Sequence, residues 1–163
     1  MRKWLYSLAF STVFVMLGCT VNALTLEQEQ RLEKELWQII DRQPKYVWGG
    51  SESEDKGLDC SGYIYLAARR AGFCVRRTTA YNMSRGYSGW DGITISLHVA
   101  RECDIPFWTW QGSNRKCGHV GILIRDRRGA QKVTHASQLR GRVVVEDMKG
   151  KLLTDLDVLR RLD

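Results

Sequence analysis

Asp59-Cys60-Ser61-Gly62 is the stretch whose reading decides the fold. A residue able to cap a helix stands directly before a cysteine. Behind it, Ile64, Ala67, Ala68 and Ala71 recur on one side at helical spacing. The spacing predicts a central helix over Cys60 to Ala71, with small residues that let a sheet pack close and Gly72 as its stop. Just upstream, Tyr46-Val47-Trp48-Gly49-Gly50 predicts a short extended piece entering a glycine turn, and Ser51 to Gly57 a polar surface loop. Downstream, Gly118-His119-Val120-Gly121-Ile122 and Thr134-His135-Ala136-Ser137 fall on predicted strands.

Outward from this centre, Thr25 to Asp41 reads as a first helix. Thr25 and Gln28 have capping-box spacing, Leu32, Leu36 and Ile39 recur on one face, and Pro44 ends it. Short helices are expected within Thr78 to Tyr87 and Thr94 to Glu102, with Pro106 closing that region. The period then changes. Strands are expected over Phe107 to Trp110, His119 to Arg125, Gln131 to Ala136 and Arg142 to Glu146, the second and third joined as a hairpin by the turn Asp126 to Gly129. Leu152 to Leu162 is expected as a closing helix. Helices first and antiparallel strands after predict an α+β domain.

The 163 residues and a 44% apolar content suit one globular domain and exclude global disorder. Residues 1–23 differ in kind: Arg2 and Lys3, then the mostly apolar Leu5 to Leu17, then the small-residue stretch Val21-Asn22-Ala23. They predict a secretory signal peptide, too short in its apolar run for a membrane span, ahead of a domain over 24–163. Met16-Leu17-Gly18-Cys19 is a second option, a lipobox whose Cys19 would carry a lipid anchor. Either places the domain outside the cytoplasm. Removing residues 1–23 lowers the formal charge from +7 to +5. That charge suits an anionic partner such as a cell-wall polymer or membrane surface. No basic and aromatic stripe points to nucleic acid. In an oxidising compartment one disulfide among Cys74, Cys103 and Cys117 is expected, with Cys60 free.

Cysteine attacks as the thiolate, so a catalytic cysteine needs help in losing its proton. A helix N-terminus and a nearby imidazole supply it. Cys60 meets the first condition at the predicted helix start, and the second if the His119 strand docks there. Across the hairpin, His135 is placed to hold the other ring nitrogen of His119. His98 carries no such pattern. A zinc site from Cys60, Cys117, His119 and His135 is an alternative, though no pair has zinc-finger spacing. No cofactor or metal is required by the main reading.

Taken together, Tyr-x-Trp-Gly-Gly, Asp-Cys-Ser-Gly, Gly-His-Val-Gly-Ile and His-Ala, in this order, resemble the NlpC-type cell-wall cysteine peptidases over roughly Leu32 to Ser137. The resemblance implies a papain-like fold, with N-terminal helices packed on a C-terminal antiparallel sheet. It implies Cys60 as nucleophile, His119 as general base, His135 as the orienting third residue, and Tyr46 as a hydroxyl facing the cysteine and supporting the oxyanion. Asp59 and Ser61 match positions that shape the substrate site, and Trp48 is read as a groove wall. The implied partner is a peptidoglycan stem peptide, cut between D-glutamate and the diamino acid. A non-catalytic wall-binding or regulatory module on the same fold is the alternative. Arg77-Thr78-Thr79 resembles the family's Arg-Thr-Ser. The family's Pro-Gly-Asp before the histidine strand is missing, and Gln111 to Lys116 reads as a polar insertion.

Overall fold

The computed structural model describes residues 24–110 and 114–162. The expected signal peptide and Cys19 lie outside these residues, as does the front of the expected insertion. Helix α1, Leu26–Arg42, begins with a capping box. Gln28 N–H donates to Thr25 Oγ1 at 3.2 Å and Thr25 N–H to Gln28 Oε1 at 2.8 Å. Leu32, Leu36 and Ile39 are buried, and Gln43 turns left-handed just before Pro44. Helix α2, Cys60–Arg70, is the core helix, with Tyr63, Ile64, Leu66, Ala67 and Ala68 all buried. Its start lies against the loop before it. A Cβ on Gly62 would sit 1.9 Å from the Gly50 carbonyl oxygen, so only glycine lets the two backbones approach this closely. A short α3, Ala80–Ser84, follows.

The strands form two antiparallel sheets. One holds β1 (Gly92–Thr94), β7 (Leu156–Leu162), β2 (Ile105–Trp110) and β3 (Arg115–Val120) in that order; the other holds β4 (Ile122–Arg125), β5 (Gln131–Ser137) and β6 (Arg142–Glu146). α2 packs on β3 and β5, and its core is shared with α1 and both sheets. This is the expected α+β arrangement, helices against an antiparallel β layer.

Three expectations are corrected. His119 to Arg125 is not one strand: β3 and β4 belong to different sheets and break at Gly121. A Cβ there would meet the Thr134 carbonyl oxygen at 2.9 Å and the Trp108 ring at 3.1 Å. Gly121 N–H instead donates to Pro106 O, turning the chain from one sheet into the other. Thr94 to Glu102 holds only a 3-10 turn at Leu97–Val99, and Thr94 ends strand β1. Leu152 to Leu162 is not a helix. One turn, α4 (Lys151–Thr154), precedes β7, which pairs with β1 and β2. Its charges mimic a solvated helix face but have partners across the sheet. Asp157 accepts from Thr109 and from Cys117 N–H, Arg160 donates to Ser84 O and Gly92 O, and Arg161 pairs with buried Asp104. Pairing overrides the local helical pattern.

The expected disulfide is not formed. Cys74 is exposed, Cys103 is buried with its thiol toward Glu29 O, and Cys117 is half-buried within hydrogen-bond reach of Ser84; all are free.

Candidate active site

Cys60 is the first residue of α2, and the Asp59 carboxylate fixes its surroundings. Oδ1 accepts Gly62 N–H at 2.6 Å and the Ser61 hydroxyl at 3.0 Å. Oδ2 accepts Gly49 N–H at 3.0 Å and the Arg77 guanidinium at 2.6 Å. Arg77 also donates to Ser61 Oγ at 2.8 Å. Asp59 therefore caps the helix, ties it to the Trp-Gly-Gly loop, and has its charge neutralised by Arg77. Asp59 and Ser61 are both buried. Arg77 is a member of this site that the residue pattern left without a role. Its signal was its place in Arg-Thr-Thr.

The thiol of Cys60 is almost enclosed, 5% exposed. Backbone N–H groups of Val120 and Ser61 favour its thiolate, as does Arg77. Burial opposes them, the Asp59 charge adds to burial, and the thiol is pushed up to about 11. Burial thus opposes the help that the helix start gives the thiolate.

The contact with Val120 brings Cys60 to the end of β3, next to His119. His119 Nε2 lies 2.9 Å from His135 Nδ1, and the rings meet edge to face with centroids 4.9 Å apart. Trp108 packs against both, at 5.7 and 6.1 Å. Burial first, then His135, pulls His119 down to about 3, so it is a neutral imidazole at physiological pH. On its far side, His135 Nε2 lies 3.2 Å from Glu146 Oε2, and Glu146 meets Arg140 at 3.4 Å. The bond to His135 helps hold the Glu146 carboxyl below the usual carboxylate range.

Tyr46 enters through an isolated bridge to Leu58, and its N–H donates to Gly141 O. Among the described residues its hydroxyl is buried without a hydrogen-bond partner. Burial, followed by the charges of Cys60 and Asp59, holds that hydroxyl in its protonated form. Tyr46 is thus a buried donor close to Cys60. Trp48 stands at the surface, 73% exposed, beside Gly49. Trp90 belongs to the core, and Trp108 lies against the two histidines. A cleft of about 1210 Å³ opens on Trp108, His119, His135, Arg140 and Glu146; Cys60 does not line it. Among the described residues no group of three or more His, Cys, Asp or Glu is gathered for a metal ion.

The structure brings together Cys60, Tyr46 and, through Asp59, Ser61, and it joins His119 to His135. Glu146 and Arg140 were missed. Their only signal was the β5–β6 register, which sets Glu146 opposite Val133 and diagonal to His135.

The chain resembles known proteins. Residues 43–161 match the NlpC/P60 family. No curated protein matches the chain. A solved structure described as similar to a lipoprotein of the NLP/P60 family, from Staphylococcus aureus, is 21% identical with a TM-score of 0.66, covering 89% of this chain and 44% of its own. An NlpC/P60 family protein from Bacillus cereus is 16% identical with a TM-score of 0.62, covering 87% of this chain and 41% of its own. The chain thus spans about two-fifths of the length of these two. RipD from Mycobacterium tuberculosis, described as a non-catalytic NlpC/p60 domain protein adapted to peptidoglycan binding, is 16% identical with a TM-score of 0.55, covering 81% of this chain and 98% of its own. At such identities the structural likeness speaks for the papain-like fold, and the match over 43–161 carries the assignment. With its core helix and, Leu162 apart, both sheets inside the matched residues, the chain belongs to the NlpC/P60 family, whose members hydrolyse or bind the cell wall.

Proposed function

We propose that the chain is an extracytoplasmic cysteine hydrolase of peptidoglycan stem peptides, cutting the amide bond between D-glutamate and the diamino acid. The observation that carries this reading is the conjunction of Cys60 at a helix start with the coupled His119–His135 pair at the adjoining strand end. Since His135 occupies Nε2 of His119, Nδ1 is the nitrogen that exchanges a proton with Cys60. As the thiol attacks the carbonyl carbon, its proton passes to His119. The resulting oxyanion is held by the Tyr46 hydroxyl and the Cys60 N–H. Collapse breaks the C–N bond, His119 returns the proton to the departing amine, and a thioester remains on Cys60. Water, deprotonated by His119, then releases the acid and the thiol.

Asp59 and Ser61 support substrate binding indirectly, by holding the helix start, while exposed Trp48 offers a ring beside the site. No cofactor enters these steps. Signal cleavage or a lipid on Cys19 would deliver the domain to the envelope; among the described residues, no helix is long and apolar enough to cross a membrane.

A second reading is favoured by the deep burial of Cys60 and by the non-catalytic character of RipD: the domain binds peptidoglycan without turning it over. Mass spectrometry of the soluble fragments released from isolated peptidoglycan separates the two. Fragments with new D-glutamate carboxyl ends support hydrolysis at the proposed bond, and other ends reassign the bond. Retention on sacculi with no fragments supports binding.

A further inference from the structure

Glu146 has no part in the mechanism above, yet it completes a continuous line of polar contacts through both histidines. Its side chain is 29% exposed and that of His135 6%, so the bond between them is shielded from bulk water at the ring. The β5–β6 register holds the pair: His135 faces Val144 and Val133 faces Glu146, placing the carboxylate one diagonal step along the sheet. An ionised carboxylate only accepts hydrogen bonds. The ring nitrogen facing it, His135 Nε2, must therefore carry the hydrogen. A neutral imidazole has one N–H, so in that tautomer His135 Nδ1 presents a lone pair to His119 Nε2, 2.9 Å away. His119, which burial keeps neutral, would then carry its hydrogen on Nε2 and leave Nδ1 unprotonated.

We propose that Glu146 is a positioning residue: by holding the His135 proton on Nε2, it sets the tautomer of both rings and keeps the basic nitrogen of His119 on Nδ1. The proposal rests on His119 being the base of the proposed hydrolysis. The opposite tautomer of His135 would aim a lone pair at the carboxylate and an N–H at His119. His119 would then carry its hydrogen on Nδ1 and could not accept one from a thiol. When His119 does take the thiol proton, the same line gives its positive charge a carboxylate one ring away. Arg140, on the far side of the carboxylate, lies 3.4 Å from Glu146 Oε1 and partly balances its charge. The other charges lining the cleft are Asp126, Lys132, Asp147, Lys149, Lys151 and Asp155. Lys132 is bonded to Asp147 and near Asp126, and Lys149 is bonded to Asp147, so these charges largely compensate one another.

The chain has three histidines, which makes ring-nitrogen NMR tractable. Long-range proton–nitrogen spectra of histidine-labelled protein at neutral pH should show both His119 and His135 with hydrogen on Nε2 only. In Glu146→Ala both rings should shift toward mixed or reversed tautomers, and Glu146→Asp should restore the wild-type pattern. Where hydrolysis is measurable, kcat in Glu146→Ala should fall roughly ten- to a hundredfold with KM little changed, as for other residues that orient a reacting group from behind. Hydrogen on Nδ1 of His135 in the wild type overturns the proposal, a result independent of how the variants fold. Unchanged tautomers in a folded Glu146→Ala overturn it equally. Should the protein release no peptidoglycan fragments, the proposed hydrolysis fails while the spectra still decide the role of Glu146.

Discussion

At Cys60 the helix start and burial of the thiol pull in opposite directions. Two N–H groups and Arg77 pull toward the thiolate, and burial with the Asp59 charge wins. In the proposed hydrolysis His119 takes the proton as the bond forms. Alkylation of Cys60 by a small electrophile should accordingly be slow at pH 7 and keep rising with pH toward its thiol value of about 11. A labelling rate flat from mildly acidic pH upward would instead reveal a resting thiolate–imidazolium pair. Tyr46 makes the complementary case. Its buried hydroxyl has no hydrogen-bond partner among the described residues, so Tyr46→Phe should leave stability unchanged or slightly higher. If that hydroxyl binds the oxyanion, kcat should drop on the order of 10²-fold. Equal kcat in both proteins would remove Tyr46 from the mechanism. These residues were legible because chemistry-bearing types stood in a tight order along the chain. Their protonation states were not, since burial is a property of the folded surroundings.

At the scale of elements, α2 depends on what sits at its first turn. Losing the cap in Asp59→Ala should cost about 1–2 kcal/mol, and more where Arg77 is left uncompensated. Gly62→Ala drives a Cβ into the Gly50 carbonyl, so it should destabilise by about 2 kcal/mol or more. Urea unfolding of both variants checks these values; a neutral Gly62→Ala would show that the loop yields and the close approach is dispensable. α1 and α2 were readable from caps and periodicity, because both signals are local. β7 was not. Leu156, Leu159 and Leu162 fit a helical stripe, and what makes the segment a strand is pairing with β1 and β2, far away in sequence. Gly121 was quoted as part of a motif, but its role as the point where the chain changes sheets emerges only from the close approach of Thr134 and Trp108. Glu146 stayed hidden for the same reason: strand register is not a local property.

Across the whole molecule, β7 fastens the larger sheet to the rest. Asp104 is fully buried, and Arg161 at the far end of the chain meets both of its carboxylate oxygens at 2.8 and 2.9 Å. Arg161→Met would strand that carboxylate and should cost about 3–5 kcal/mol, read as a lowered urea midpoint. Adding Asp104→Leu should return much of the loss, since the pair matters chiefly because neither charge can be left alone. A loss under the Arg161 substitution no greater than for an exposed ion pair would show that water reaches Asp104. The proposed nucleophile thus comes from the helical half and the histidines from the β half, and the central claim is that they act together on an amide bond. The most direct test is hydrolysis of a purified peptidoglycan stem peptide by the wild type and by Cys60→Ala, with thermal unfolding measured on both. The account predicts new amine and carboxylate ends from the wild type alone, with both proteins equally folded. Equal cleavage by Cys60→Ala, or none by a folded wild type, would contradict it.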